Sequence, residues 1–292
     1  MKFLYVLGLE HSGTTLISHL LGQHERFLAV GEVAAFFSPT HMQSYLRKWG
    51  DYDDARMCSC SEQWQDCDFW GNLIDLAGHK SSDGLLKKYK LLFDYCNQKY
   101  VADKVLVDSS KSLSTLTLLL ENAEYLGISR DDIFVVYAVK DVRNFATSIA
   151  AKEGEKRSIV ATYRSFNWWL GENKAALNYL RQSKVNFELY FYDAFAQSAN
   201  SSQGDDDLSE LLSPYFSALG YQSVEFSTVA HSQSHIAMGN KNFIMRKHEG
   251  ISYDDRWTKN VISRLVYVLH WKACALNRFF YRSSAHCPAK SD

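Results

Sequence analysis

The sequence predicts an α/β fold, a parallel sheet flanked by helices, with an inserted cap region. Three observations predict it. Short, near-continuous apolar runs alternate with helical patterns, as parallel strands covered on both faces require. The first run stops at the loop GLEHSGTT, Gly8 to Thr15, which opens into a helix. Polar clusters at 8–15, 108–111 and 140–148 follow the apolar runs, and ligands in open α/β sheets bind beyond the carboxyl ends of the strands.

Residues 2–7 read as a buried strand, short, β-rich and stopped by Gly8. Thr14 to Gly22 reads as a helix with Leu16, Leu20 and Leu21 on one side. The next clear strand is Lys104 to Val107, ending in Asp108-Ser109-Ser110-Lys111, and a helix follows over about Leu113 to Leu126. Ser109 and Ser110 are expected to cap that helix. Ile133 to Val139 is a continuous apolar strand ending in Lys140-Asp141-Val142-Arg143, with another helix from near Asn144. Phe187 to Phe191 is a further strand. Residues about 40–100 form the insertion, rich in aromatics (Tyr45, Trp49, Tyr52, Trp64, Phe69, Trp70), which are read first as core. The polar run 198–210, SANSSQGDDDLSE, reads as a surface loop. With three prolines and no linker composition, the chain reads as a single domain over 1–292.

The 292 residues, 46% apolar and 22% charged, suit a globular protein with a sizeable core. A net charge of -1 gives no global field for nucleic acid or acidic membranes, so any anion site must be local. No apolar run approaches the roughly 20 residues of a membrane span. MKFLYVLG runs straight into the loop, leaving no room for a cleaved leader, and a cytoplasmic protein is expected. Six cysteines in a chain of this length do not suggest a disulfide scaffold. Three of them cluster as CSCSEQWQDC (Cys58, Cys60, Cys67). They are read first as packed, reduced thiols, with a zinc site as the alternative and His79, Asp66 or Cys96 as its fourth ligand.

The loop keeps the glycine spacing and final hydroxyl of a phosphate-binding loop, Gly8, Gly13 and Thr15. Thr14, however, stands where the pattern has the lysine that reaches the outer phosphates of a nucleoside triphosphate. A loop at a helix N-terminus still binds an anion through its N–H groups and the helix dipole. Asp108 is the sole candidate for a magnesium-holding strand end. The loop therefore suits a ligand with one phosphate at that place and no metal-bridged triphosphate.

HSGTT after a first strand resembles the 5′-phosphosulfate loop of sulfotransferases that use 3′-phosphoadenylyl sulfate (PAPS), a P-loop-type fold, with His11 at the usual basic position. VKDVRNFATS resembles that family's 3′-phosphate segment, placing Lys140 where most members have arginine and Ser148 on the following helix. NFIMRKHEG resembles the segment that closes over the 3′-phosphate, through Arg246 and Lys247. VDSSK and GEV resemble segments of the bacterial and tyrosylprotein branch, with Lys111 at a strand end and Glu32 as base. The resemblance implies sulfuryl transfer from PAPS to a hydroxyl acceptor, with PAP as product and no metal required. Ser12, Gly13, Thr14 and Thr15 would complete the nucleotide contacts. Glu32 is the first candidate base and His11 the second, and Lys111 or the loop N–H groups would stabilise the transferring group.

Each residue also has a plainer reading. Glu32 could cap a helix or pair with a lysine, Lys111 could be solvated at a helix start, and His231, His235 and Asn240, ahead of the closing segment, could be structural or could contact acceptor or nucleotide. A P-loop small-molecule or nucleotide kinase and a non-catalytic nucleotide-binding protein are the competing functions. A carbohydrate, lipid-like alcohol, phenol or peptide tyrosine would each serve as acceptor, and neither nucleic acid nor a membrane span is expected.

Overall fold

The computed structural model describes residues 1–49, 56–77, 84–100, 104–153, 158–201, 205–221, 234–240, 251 and 253–284. Five strands form one parallel sheet in the order β2-β3-β1-β4-β5: β1 (Lys2–Gly8), β2 (Phe27–Gly31), β3 (Val105–Lys111), β4 (Ile133–Val139) and β5 (Asn186–Phe191). Among the described residues no helix is long and apolar enough to cross a membrane. The chain divides into two compact units, Met1–Leu7 with Thr14–Val135 and Phe226–Glu249, and Gly8–Gly13 with Val136–Glu225 and Gly250–Asp292.

In the first unit, β1 and β2 both pair with β3, with Leu7 opposite Lys111 and Gly31 opposite Asp108. Phe3 to Leu7, Phe27 to Val30 and Val105 to Val107 are buried. Burying each such side chain stabilises by about 1.5–3 kcal/mol, and the continuous apolar runs exist because both faces of the sheet are covered. Helix α1 (Thr14–Leu21) starts where expected. The five-residue β2 was not expected, nor was the short helix α2 (Val33–Phe37) that follows it. The insertion holds helices α3 (Pro39–Trp49), α4 (Trp70–Ala77) and α5 (Leu85–Lys99), and Trp70 on α4 and Tyr89 and Phe93 on α5 are buried. Trp64, Phe69 and Trp70 are buried, and the Phe36 and Trp70 ring centroids lie 4.0 Å apart.

Strand β3 runs on through Lys111, beyond the expected end at Val107. The cap of α6 (Leu113–Glu121) is Ser112, whose hydroxyl accepts from the Thr115 N–H, not Ser109 or Ser110. The expected single helix to Leu126 breaks at Asn122 into α6 and α7 (Ala123–Leu126), and Gly127 ends α7 in the left-handed conformation.

The second unit holds α8 (Val142–Glu153), the 25-residue α9 (Ile159–Ser183), α10 (Tyr192–Ser201), α11 (Asp205–Ala218), α12 (Val261–Leu269) and α13 (Trp271–Ser283). The run 198–210 is not the surface loop expected. Residues 198–201 end α10, and 205–210 open α11. Asn277 on α13 accepts from the Val142 N–H and donates to Asp141, fixing the start of α8.

Candidate functional site

The loop leaves β1 through Gly8, where a Cβ would lie 2.4 Å from the Ala138 carbonyl oxygen, so only glycine fits. His11 and Gly13 both take left-handed backbone conformations (φ 66° and 79°), and Ser12 between them is buried. A Cβ on Gly13 would come within 2.5 Å of the Tyr192 ring. Alternating hand in a tight loop turns backbone N–H groups to one side, the geometry of an anion-binding concavity. Thr14 and Thr15 then begin α1. The Thr15 hydroxyl accepts from the Asn240 N–H at 3.2 Å, a structural contact for Asn240.

At the end of β4, Lys140 is 4% exposed and its Nζ lies 3.2 Å from the Ser148 hydroxyl. The two residues paired by sequence therefore converge. The same ammonium sits over the Tyr192 ring at 4.7 Å, so Tyr192 touches both the loop and Lys140. No signal in the sequence marked Tyr192. Burial pushes the Lys140 ammonium down, against Asp193 and Asp254, which raise it. The Asp254 carboxylate is 3.6 Å away and is held twice by Arg256, at 2.7 Å each. Asp193 is fully buried, accepts from the Asp141 N–H and from Asn144, and is pushed up to about 7 by burial and by Asp141. Asp141 and Arg143, in the same motif, instead form a bidentate pair, with the guanidinium 3.9 Å from the Trp257 ring centroid and 4.4 Å from that of Tyr267.

At the ends of β2 and β3, Glu32 and Lys111 form an ion pair, each side chain about one-fifth exposed. Glu32 sits at the N-cap position of α2 without a side-chain capping bond, so its partner is the lysine. Lys111 has φ 67°, a conformation costly for any residue with a Cβ. Such strain persists where the surroundings over-determine it, and it concentrates at functional sites. Beneath the pair lies Asp108, fully buried, a positioning group that sequence reasoning considered only as a metal ligand. Its carboxylate accepts from the Tyr89 and Ser110 hydroxyls and from the Ser110 and Val33 N–H groups. The Ser110 hydroxyl accepts in turn from the Ala34 N–H. The first turn after Glu32 is thus tied to β3. Burial pushes Asp108 up to about 6, opposed by these bonds. A carboxylate so enclosed is not available to magnesium.

Cys58, Cys60 and Cys67 lie with His235, their ligand atoms all within 4.8 Å of one another. Among the described residues the fourth group is His235, not Asp66 or Cys96; His79 and His231, like Arg246 and Lys247, lie outside the described residues.

No protein-family model matches the chain, and no curated protein matches it. Its fold is similar to that of the sulfotransferase domain from the Synechococcus PCC 7002 olefin synthase. The TM-score is 0.59 over 95% of this chain and 94% of that one, at 16% identity. The chain has a sulfotransferase-like α/β fold.

A nucleotide with phosphates at both ends needs donors at each of them. Loop and Lys140 meet at one ring, and an ammonium beside a hydroxyl supplies several donors to a phosphate. Asp254 competes for that ammonium, but Arg256 keeps it paired if it gives way. The donors fit.

Proposed function

We propose that the protein is a sulfotransferase that moves a sulfuryl group from PAPS to a hydroxyl acceptor. The observation that carries this reading is the convergence of Lys140 and Ser148 at 3.2 Å, the pair the sequence resemblance assigns to a 3′-phosphate. The fold and the strained, glycine-dependent loop support it. PAPS, when bound, supplies a sulfuryl group on a phosphate leaving group. The loop N–H groups of Ser12 to Thr15 and the His11 side chain hold the 5′ end. Lys140 and Ser148 hold the 3′-phosphate, with Arg246 and Lys247 as further contacts. Glu32, oriented by Lys111 and by the Asp108 network, takes the proton from the acceptor hydroxyl. The Lys111 ammonium stabilises charge developing on the transferring oxygens. A cytoplasmic setting belongs to the proposal, in keeping with the reduced cysteines Cys96 and Cys274. The sequestered Asp108 and the missing loop lysine weigh against the kinase reading.

The test is PAP release from PAPS across a panel of phenols, sugars, alcohols and tyrosyl peptides, with wild type and Glu32→Gln. Loss of a general base lowers kcat by about 10²–10⁴-fold. Turnover with no acceptor, or an unchanged kcat in Glu32→Gln, would overturn the assignment.

A further inference from the structure

We propose that Cys58, Cys60, Cys67 and His235 form a structural zinc site. Zinc bound tetrahedrally by sulfur at about 2.3 Å and nitrogen at about 2.0–2.1 Å sets sulfur–sulfur edges of about 3.8 Å and sulfur–nitrogen edges of about 3.6 Å. The Cys60–Cys67 and Cys67–Cys58 sulfurs are 3.6 and 3.7 Å apart, and His235 Nδ1 lies 3.2 Å from Cys67 and 4.0 Å from Cys58. These four spacings come within about 0.4 Å of the edges of a zinc tetrahedron, all four donor atoms lie within 4.8 Å of one another, and a disulfide, bonded at about 2.05 Å, matches none of these spacings. Three thiolates and one imidazole are a zinc set, and four protein ligands leave no open position, which marks the site as structural.

The backbone is built for this. Cys58 and Cys60 sit on a tight turn in which the Cys58 N–H donates to the Glu62 carbonyl and the Ser61 N–H donates to that of Cys58. Ser61 is left-handed at φ 76°, and Met57 bridges to Gln63 antiparallel. Outside the ligands, the Phe69 ring stacks on the His235 imidazole at 5.3 Å and 12°, and the Trp70 indole N–H donates to the His235 carbonyl. Such surroundings fix ligand orientation.

The site has a structural consequence within its unit. The segment bearing His235 runs beside β2, its His235 and Ala237 N–H groups donating to the Ala29 and Val30 carbonyls. Ser59 bonds to the same segment, through its N–H to the Ile236 carbonyl and through its hydroxyl to Ser234 and Ile236. Zinc would therefore staple the turn of the insertion to the segment covering β2, the strand that ends at Glu32. This proposal stands apart from the sulfotransferase reading.

The experiment is metal analysis of the full chain purified under reducing conditions, with cobalt(II) exchange followed by visible spectroscopy. Wild type is expected to carry about one zinc per chain. The cobalt form is expected to show thiolate-to-metal charge transfer and tetrahedral ligand-field bands. Cys60→Ser and His235→Asn are expected to lose most of the zinc, with their folding checked by circular dichroism. The cobalt spectrum of wild type reads sulfur ligation even if both variants misfold. Wild type that takes up neither metal after refolding in excess of it, or folded variants with undiminished zinc, would overturn the proposal.

Discussion

The Asp108 carboxyl makes a pH-dependent contribution that can be isolated. It is fully buried, and burial raises it to about 6 despite four donors aimed at it. In the unfolded chain it titrates near 3.9. Below about pH 4 both states are protonated; between about pH 4 and 6 the folded state holds a proton that the unfolded state has lost, so stability falls as pH rises. Two pH units at 1.36 kcal/mol each make a decline of about 3 kcal/mol, complete above about pH 6. Asp108→Asn removes that titration. Its amide, like the protonated carboxyl, cannot accept from all four donors, so the variant stands in for the acid form of the wild type. The assay is urea unfolding of wild type and Asp108→Asn at closely spaced pH values across this window. The wild-type advantage should shrink by about 3 kcal/mol from the acid to the neutral end. Curves that stay parallel, or an advantage that grows with pH, would refute the claim that desolvation outweighs the hydrogen bonds.

Other predictions concern the loop and the charged pairs. Gly13→Ala must hold a left-handed φ and push back the Tyr192 ring, so it should destabilise by about 1–3 kcal/mol in thermal unfolding and weaken PAP binding. Lys111→Gly and Lys111→Ala both lose the Glu32 partner, yet the glycine variant should be the more stable by about 1 kcal/mol because it relieves φ 67°; equal stabilities would contradict the strain. Asp254→Asn removes the anion that competes at Lys140. It should tighten PAP binding by at least about fivefold by titration calorimetry, the effect of roughly 1 kcal/mol between charges about 4 Å apart even at the dielectric of water.

Much of the sheet was legible because its strands are buried on both faces and so read as unbroken apolar runs. The runs at Phe3 to Leu7 and Ile133 to Val139 carry no polar residue to disguise them. Strand β2 escaped because five residues, FLAVG, give too short a run to separate from a loop. The helices over 198–210 escaped because serine and aspartate at helix ends are chemically the same as serine and aspartate in loops. Lys140 was paired with Ser148 by the resemblance of VKDVRNFATS to a known segment, and the turn from strand end to helix brings the two side chains together. His235 lies 168 residues beyond Cys67, and Asp254 and Tyr192 reach Lys140 from other elements, so only the folded chain brings them together. Asp108 was visible as a residue but not as a hub, since its role depends on Tyr89 and on the start of α2.

The most direct test of the central claim is calorimetric titration of the protein with PAP, and separately with ATP and magnesium, on wild type and Lys140→Ala. Losing one charge-assisted contact worth about 1.5–3 kcal/mol should weaken PAP binding by at least about tenfold, with no binding of ATP and magnesium. Binding of ATP with magnesium, together with indifference to PAP, would contradict the account.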